Sequence, residues 1–262
     1  MKQLLKSTLR TVGYDVVRYH PKGNSQDQSK PNLAAMLDLT TEQKRILTDV
    51  HPYTMTSVEN RVALLNAVTY ITQNAIPGDI AECGVWRGGS MMTVALTLLS
   101  LGDRSRSLYL YDTYEGMSPP APVDKNINGV PAIDQLEHDR PGTGVWCYAG
   151  LDDVRANIHS TGYPKEKIHL IRGKVEDTLP GTLPAGLAIL RLDTDWYEST
   201  KHELTHLYPL LHENGILILD DYGHWQGAKK AVDEYFAENA IHVYMHRIDY
   251  TARILVKPES QQ

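Results

Sequence analysis

The feature that most constrains this chain is a repeated pattern of five short, largely apolar runs, at residues 79–85, 108–111, 168–172, 187–192 and 215–219, with helical or irregular stretches between them. Runs of this length rich in Ile, Leu and Val read as buried strands, and strands alternating with helices predict a parallel sheet covered on both faces. Residues 242–248 and 252–256 depart from the pattern. About three residues join them, too few for a crossover, so they must pair as an antiparallel hairpin. The expected α/β fold is a mostly parallel seven-stranded sheet ended by that hairpin.

Helices precede the sheet. Thr40 and Thr41 are placed to cap a helix beginning near Glu42, and Ser57 to cap one carrying Val62, Leu65, Val68 and Ile71 at helical spacing. Residues 1–50 read as an N-terminal helical extension with a polar connection at 21–31, and residues 51–262 as one catalytic domain. The whole chain, 262 residues, is long enough for one substantial core. Lys2, Lys6 and Arg10 near the start accompany apolar runs too short for a signal-peptide core or a membrane span. A basic helix on a membrane surface or a partner is the lesser alternative to a packed extension. Cys83 and Cys147 lack CxxC spacing, which fits a reducing cytoplasm. A net charge of -6 gives no field to attract nucleic acid. Pro119, Pro120, Pro122, Pro131 and Pro141 leave little room for regular structure at about 114–150, which reads as a lid-like insertion over the site.

In open parallel sheets ligands bind beyond the carboxyl ends of the strands, where the strand order reverses. That rule selects residues 82–90. Gly84 lets the turn close, Gly88 and Gly89 admit a ligand to the backbone, and the helix opening at Ser90 offers unpaired N–H groups. Neither GxGxxG nor the Lys of a phosphate-binding loop is present, which argues against a dinucleotide or a triphosphate. Asp112 ends the second strand where an acid accepts from ribose hydroxyls, with Glu82 beside it; the plain alternative is a turn cap and an ordinary strand-end acid. Lys174, Glu176 and Asp177, after the third strand, fall where an adenine would sit. The fourth strand ends in Asp193, then Asp195, and the fifth in Asp220 and Asp221. Clustered carboxylates repel one another, so a cation is their natural partner, and an all-oxygen set suits magnesium, calcium or manganese.

The segments AECGVWRGGS (81–90), YDTYEG (111–116), LRLDTDWYEST (190–200) and DDYG (220–223) together resemble the macrocin O-methyltransferase family over roughly residues 50–240. The resemblance implies a class I methyltransferase (Rossmann-like) fold and S-adenosyl-L-methionine as methyl donor. It further implies Mg2+, or another divalent cation, held by Asp193, Asp220 and Asp221, with Asp193 also the general base. A sugar or small-molecule glycoside is the implied acceptor, and a homo-oligomer the implied assembly. His224, close after the aspartate pair, is either a second proton acceptor or a polar loop residue. Trp196, Tyr197, Tyr222 and Trp225 either stack on a ligand or pack.

Three rivals follow from the residues. His202, Glu203 and His206 fit HExxH, the two-histidine zinc motif of metallopeptidases, against a helix that merely packs by Leu204 and Leu207. The same cation and cofactor would also serve a catechol-like acceptor. A non-catalytic binding protein would be expected to lose its costly carboxylates first, so their presence argues against that class.

Overall fold

The computed structural model describes residue 33, residues 36–138 and residues 147–259; the expected N-terminal helix and polar connection lie outside the described residues. The apolar runs become strands β1 (Asp79–Cys83), β2 (Leu108–Asp112), β3 (Ile168–Arg172), β4 (Leu187–Leu192) and β5 (Leu211–Leu219), followed by β6 (His246–Arg247) and β7 (Arg253–Val256). They form one sheet in the order β3-β2-β1-β4-β5-β7-β6. Its first five strands pair in parallel, and β7 runs antiparallel to β5 and β6. The order reverses between β1 and β4, which puts the ligand crevice at their carboxyl ends. This is the class I methyltransferase arrangement.

The helices are α1 (Thr41–Val50), α2 (Val58–Gln73), α3 (Gly89–Ser100), α4 (Ala132–His138), α5 (Leu151–Ser160), α6 (Val175–Thr178), α7 (Tyr197–Leu207) and α8 (Gln226–Glu238). Thr40, not Thr41, caps α1. Its hydroxyl accepts from the Gln43 N–H at 3.2 Å while the Gln43 amide oxygen accepts from the Thr40 N–H at 2.8 Å, a capping box. Ser57 caps α2 by accepting from the Asn60 N–H.

Strand alternation sends side chains to two cores. Ile80, Ile189 and Ile218 face α1, α2, α3 and α5 through Ile46, Val68, Val94 and Ile158. Ala81, Leu190 and Leu217 face α7 and α8 through Leu204, Leu207, Val232 and Phe236. Each large apolar side chain removed from water contributes about 1.5–3 kcal/mol, so both faces bind their helices firmly. Helix α1 belongs to this packed unit, which spans Asn32–Gln262, although it falls within the stretch read as an extension.

Two local expectations change, and a third, that regular structure occupies only part of the insertion, holds. Strand β5 begins at Leu211, four residues before the expected 215, because Leu211 pairs with Leu187 before a register shift. The hairpin is shorter than expected, since only His246 and Arg247 of the first arm pair with β7. The proline-rich insertion contains α4, whose Ala132 and Leu136 pack on Trp196, Trp225 and Ala228. Among the described residues no helix is long and apolar enough to cross a membrane.

Candidate active site

The site begins where β1 and β4 end side by side. Gly84 has φ +80, and a Cβ there would lie 1.9 Å from the Asp193 carbonyl oxygen. Only glycine allows this backbone approach, which sets the turn after β1 directly against the aspartate at the end of β4. Asp112 braces the same corner. Its Oδ2 accepts from the Val85 and Trp86 N–H groups at 2.7 and 3.1 Å, and its Oδ1 accepts from the Tyr114 N–H at 2.7 Å. The strand-end acid therefore joins two loops as well as facing the crevice.

A cavity of about 500 Å3 opens here, within the range of small-molecule sites. Gly84, Ser90, Asp112, Lys174 and Glu176 line it, as do Asn60, Asp193, Asp220, Asp221 and Tyr250. Met117 and Cys147, at the two ends of the insertion, also line it. Of the site residues singled out from sequence, Glu82, Gly88, Asp177 and His224 are not among the lining, nor are the aromatics Trp196, Tyr197, Tyr222 and Trp225. Glu82 lies beneath the floor at 1% exposure. Its Oε1 accepts from Arg191, its Oε2 has no partner, and burial pushes its carboxyl up to about 7 against the pull of Arg191.

Arg191 is the residue that sequence reasoning missed. It lies inside the wholly buried β4 and ties three strands together. Nη1 donates to Glu82 Oε1 at 2.7 Å and to Asp193 Oδ2 at 2.6 Å, and Nη2 donates to Asp220 Oδ1 at 2.7 Å. Burial opposes its charge, but Asp193, Asp220 and Glu82 outweigh that and hold the guanidinium protonated. A lone Arg in an apolar run flanked by aspartates was the available signal.

Asp193, Asp220 and Asp221 each bring one carboxylate oxygen within 4.8 Å of the others, the only such group of acids, histidines or cysteines among the described residues. Asp221 Oδ2 accepts from the Asp195 N–H at 3.0 Å, and Asp195 Oδ1 from the Trp225 indole N–H at 2.7 Å. Burial, with neighbouring aspartates adding to it, raises the Asp193, Asp195 and Asp221 carboxyls above their ordinary range. Glu82, Asp193 and Asp220 thus share one guanidinium, while Asp195 and Asp221 have no cationic partner among the described residues. This donor set fits a hard divalent cation, which takes oxygen ligands and would offset the excess negative charge.

The rival motif is disassembled by its helix. His202 bonds the Leu179 carbonyl at 3.2 Å, while Glu203 is fully buried on the other side of α7 and accepts from the Thr194 hydroxyl at 2.9 Å. Burial drives Glu203 toward its neutral form, the wrong state for a base that activates water. Among the described residues no third ligand joins His202 and His206. Trp196 and Trp225 are packing residues, 2% and 4% exposed, with rings edge to face at 5.0 Å. The Tyr197 and Tyr222 hydroxyls are bound to Glu234 and Asp233. His224 Nδ1 lies 2.7 Å from the Tyr250 hydroxyl, so it reaches the cavity through Tyr250, and burial lowers its pKa.

The macrocin O-methyltransferase (TylF) family profile matches residues 15–257. The tetracenomycin rhamnosyl 4'-O-methyltransferase of Streptomyces olivaceus is 34% identical over 76% of this chain and 73% of its own length. The demethyldecarbamoylnovobiocin O-methyltransferase of Streptomyces niveus is 31% identical over 71% and 68%. The solved O-methyltransferase NovP superposes with a TM-score of 0.69 at 30% identity, covering 79% of this chain and 83% of that one. Sheet order, crevice and sequence thus agree: the chain belongs to the macrocin O-methyltransferase family and is a class I S-adenosylmethionine-dependent O-methyltransferase.

Proposed function

We propose that this enzyme methylates a hydroxyl of a glycosylated natural product, with a divalent cation, Mg2+ first among candidates, held by Asp193, Asp220 and Asp221. The observation that carries the reading is the meeting of those three carboxylates in the lining of a cavity that opens at the carboxyl ends of β1 and β4 and is also lined by Gly84, Ser90 and Asp112. The S. olivaceus relative is named for a rhamnosyl-tetracenomycin, which supports a sugar hydroxyl as acceptor.

Gly84, Ser90, Asp112, Lys174 and Glu176 would hold S-adenosylmethionine; Glu82 and Asp177 lie outside the lining, and Glu82 instead supports the carboxylate cluster through Arg191. An alcohol resembles water, with a pKa of roughly 15, so ionising it at neutral pH costs about 11 kcal/mol at about 1.36 kcal/mol per unit. When bound, the cation supplies Lewis-acid stabilisation of a developing alkoxide, and the cofactor supplies the methyl group. Asp193, oriented by Arg191, would receive the hydroxyl proton, a base contribution typically worth about 10² to 10⁴ in rate. Tyr250, oriented by His224, faces the acceptor side. The insertion, through Met117 and Cys147, acts as a lid that limits water, and alignment of the reacting atoms contributes about 7–11 kcal/mol.

The test is calorimetric titration of S-adenosylhomocysteine into the protein with Mg2+ or with EDTA, followed by a methyl-transfer screen over glycosides, repeated on Asp220→Ala. Expected are cofactor-product binding in wild type and cation-dependent turnover that is lost in the variant. Turnover unchanged by EDTA would overturn the cation assignment.

A further inference from the structure

The carboxylate oxygens of the cluster are not equivalent. Asp193 Oδ2 is taken by Arg191 and Asp221 Oδ2 by the Asp195 N–H. Asp220 Oδ1 is taken twice, by Arg191 Nη2 and by the side-chain amide of Asn60. Among the described residues no N–H or O–H group reaches Asp193 Oδ1 or Asp220 Oδ2.

Asn60 comes from outside the sheet. It sits in the first turn of α2, 160 positions from Asp220 in the chain, is 2% exposed and lines the cavity. The local structure does not require its side chain, because its own N–H is already satisfied by Ser57 Oγ at 3.0 Å. The same Ser57 hydroxyl donates to Asp249, which anchors this turn of α2 to the β6–β7 loop. Asp249 in turn accepts from the Thr251 and Ala252 N–H groups at 2.9 and 2.8 Å. A rigid turn therefore presents a buried neutral amide to a carboxylate that already has a cationic partner. Charge balance gives no reason for it; orientation does.

We propose that Asn60 is a positioning residue of the cation site: together with Arg191 it occupies Oδ1 of Asp220, so that only Oδ2 is offered to the ion. Asp220 is thereby held as a single-oxygen ligand, and the coordination positions a two-oxygen grip would fill stay available to the acceptor. This rests on the reading of Asp193, Asp220 and Asp221 as a cation site. Because Asn60 is uncharged, its removal changes geometry without changing the charge that attracts the ion, which a substitution of Arg191 would not achieve.

The experiment is calorimetric titration of Mn2+ into wild type, Asn60→Ala and Asn60→Ser, with S-adenosylhomocysteine affinity and melting temperature measured on the same samples. Partners that orient metal ligands are typically worth about 10- to 100-fold in affinity. The expected result is a Mn2+ affinity lower by that factor in both variants, with S-adenosylhomocysteine affinity within about twofold of wild type. Mn2+ affinity unchanged in both variants would overturn the proposal. So would parallel losses of Mn2+ binding, S-adenosylhomocysteine binding and melting temperature, which would mark a purely structural role. Wild type that binds no Mn2+ would remove the cation reading itself, and this inference with it.

Discussion

Asp124 gives the sharpest test of how the insertion is fastened to the catalytic domain. It is 1% exposed, and its Oδ1 accepts from the Tyr197 N–H, the first residue of α7, at 2.8 Å. Oδ2 accepts from the Ala121 N–H at 2.7 Å within the insertion. Gly227 of α8 leaves room for the carboxylate, since a Cβ there would stand 1.9 Å from Oδ1. Hydrogen bonds to a charged group are worth roughly 1.5–3 kcal/mol each, so the two sum to about 3–6 kcal/mol. Burial works against that sum, as the raised pKa of the Asp124 carboxyl records. A net loss of about 3 kcal/mol for Asp124→Ala is expected, and at about 2–4 °C per kcal/mol for a chain of this size the melting temperature should fall by roughly 6–12 °C. Asp124→Asn retains one acceptor oxygen and should fall between the two. Thermal melts followed by circular dichroism, with S-adenosylhomocysteine titration as a check on the site, measure this. A fall under about 2 °C for Asp124→Ala would refute the reasoning, because a buried carboxylate holding two N–H groups cannot be removed that cheaply.

Two further outcomes follow from the same geometry. Gly84→Ala, with its Cβ driven into the Asp193 carbonyl at a positive φ, should abolish S-adenosylhomocysteine binding; wild-type affinity by calorimetry would contradict the close backbone approach. The Glu82 carboxyl, about 7 in the fold against 4.5 ordinarily, binds more protons folded than unfolded, so its contribution is fully present at low pH and is lost as pH rises toward 7. That loss is worth about 3 kcal/mol. Without added cation the melting temperature should therefore fall from pH 5.5 to 7.5, less steeply in Glu82→Gln. The same fall in Glu82→Gln as in wild type would refute the assignment to Glu82.

The sheet was readable because buried strands leave little choice of residue: runs such as 187–192 have no other stable use. The carboxylates at the ends of β4 and β5 were readable for the converse reason, since packing has no need of them there. What escaped were partners distant in sequence. Asn60 looks like any polar residue in the first turn of a helix, and Asp124 like any acid in a proline-rich loop, until folding brings each against its acceptor or donor. Glu82 shows a subtler limit. Its position at the end of β1 suggested a ribose contact, but strand alternation and the guanidinium of Arg191 place its carboxyl beneath the cavity floor. The HExxH spacing left a rival open because spacing does not say what a helix packs against; the packing helix was the right reading, with Leu204 and Leu207 buried, Glu203 bound to Thr194 and no third ligand beside the histidines among the described residues.

The single guanidinium shared by β1, β4 and β5 also restricts how this sheet edge can change over generations. Losing Arg191 would leave three acids without their cation, and losing one acid would leave part of the guanidinium without a partner. Substitutions here are accessible mainly in compensated sets, so descent by single steps should preserve Glu82, Arg191, Asp193 and Asp220 as a block, even in lineages whose acceptor has changed.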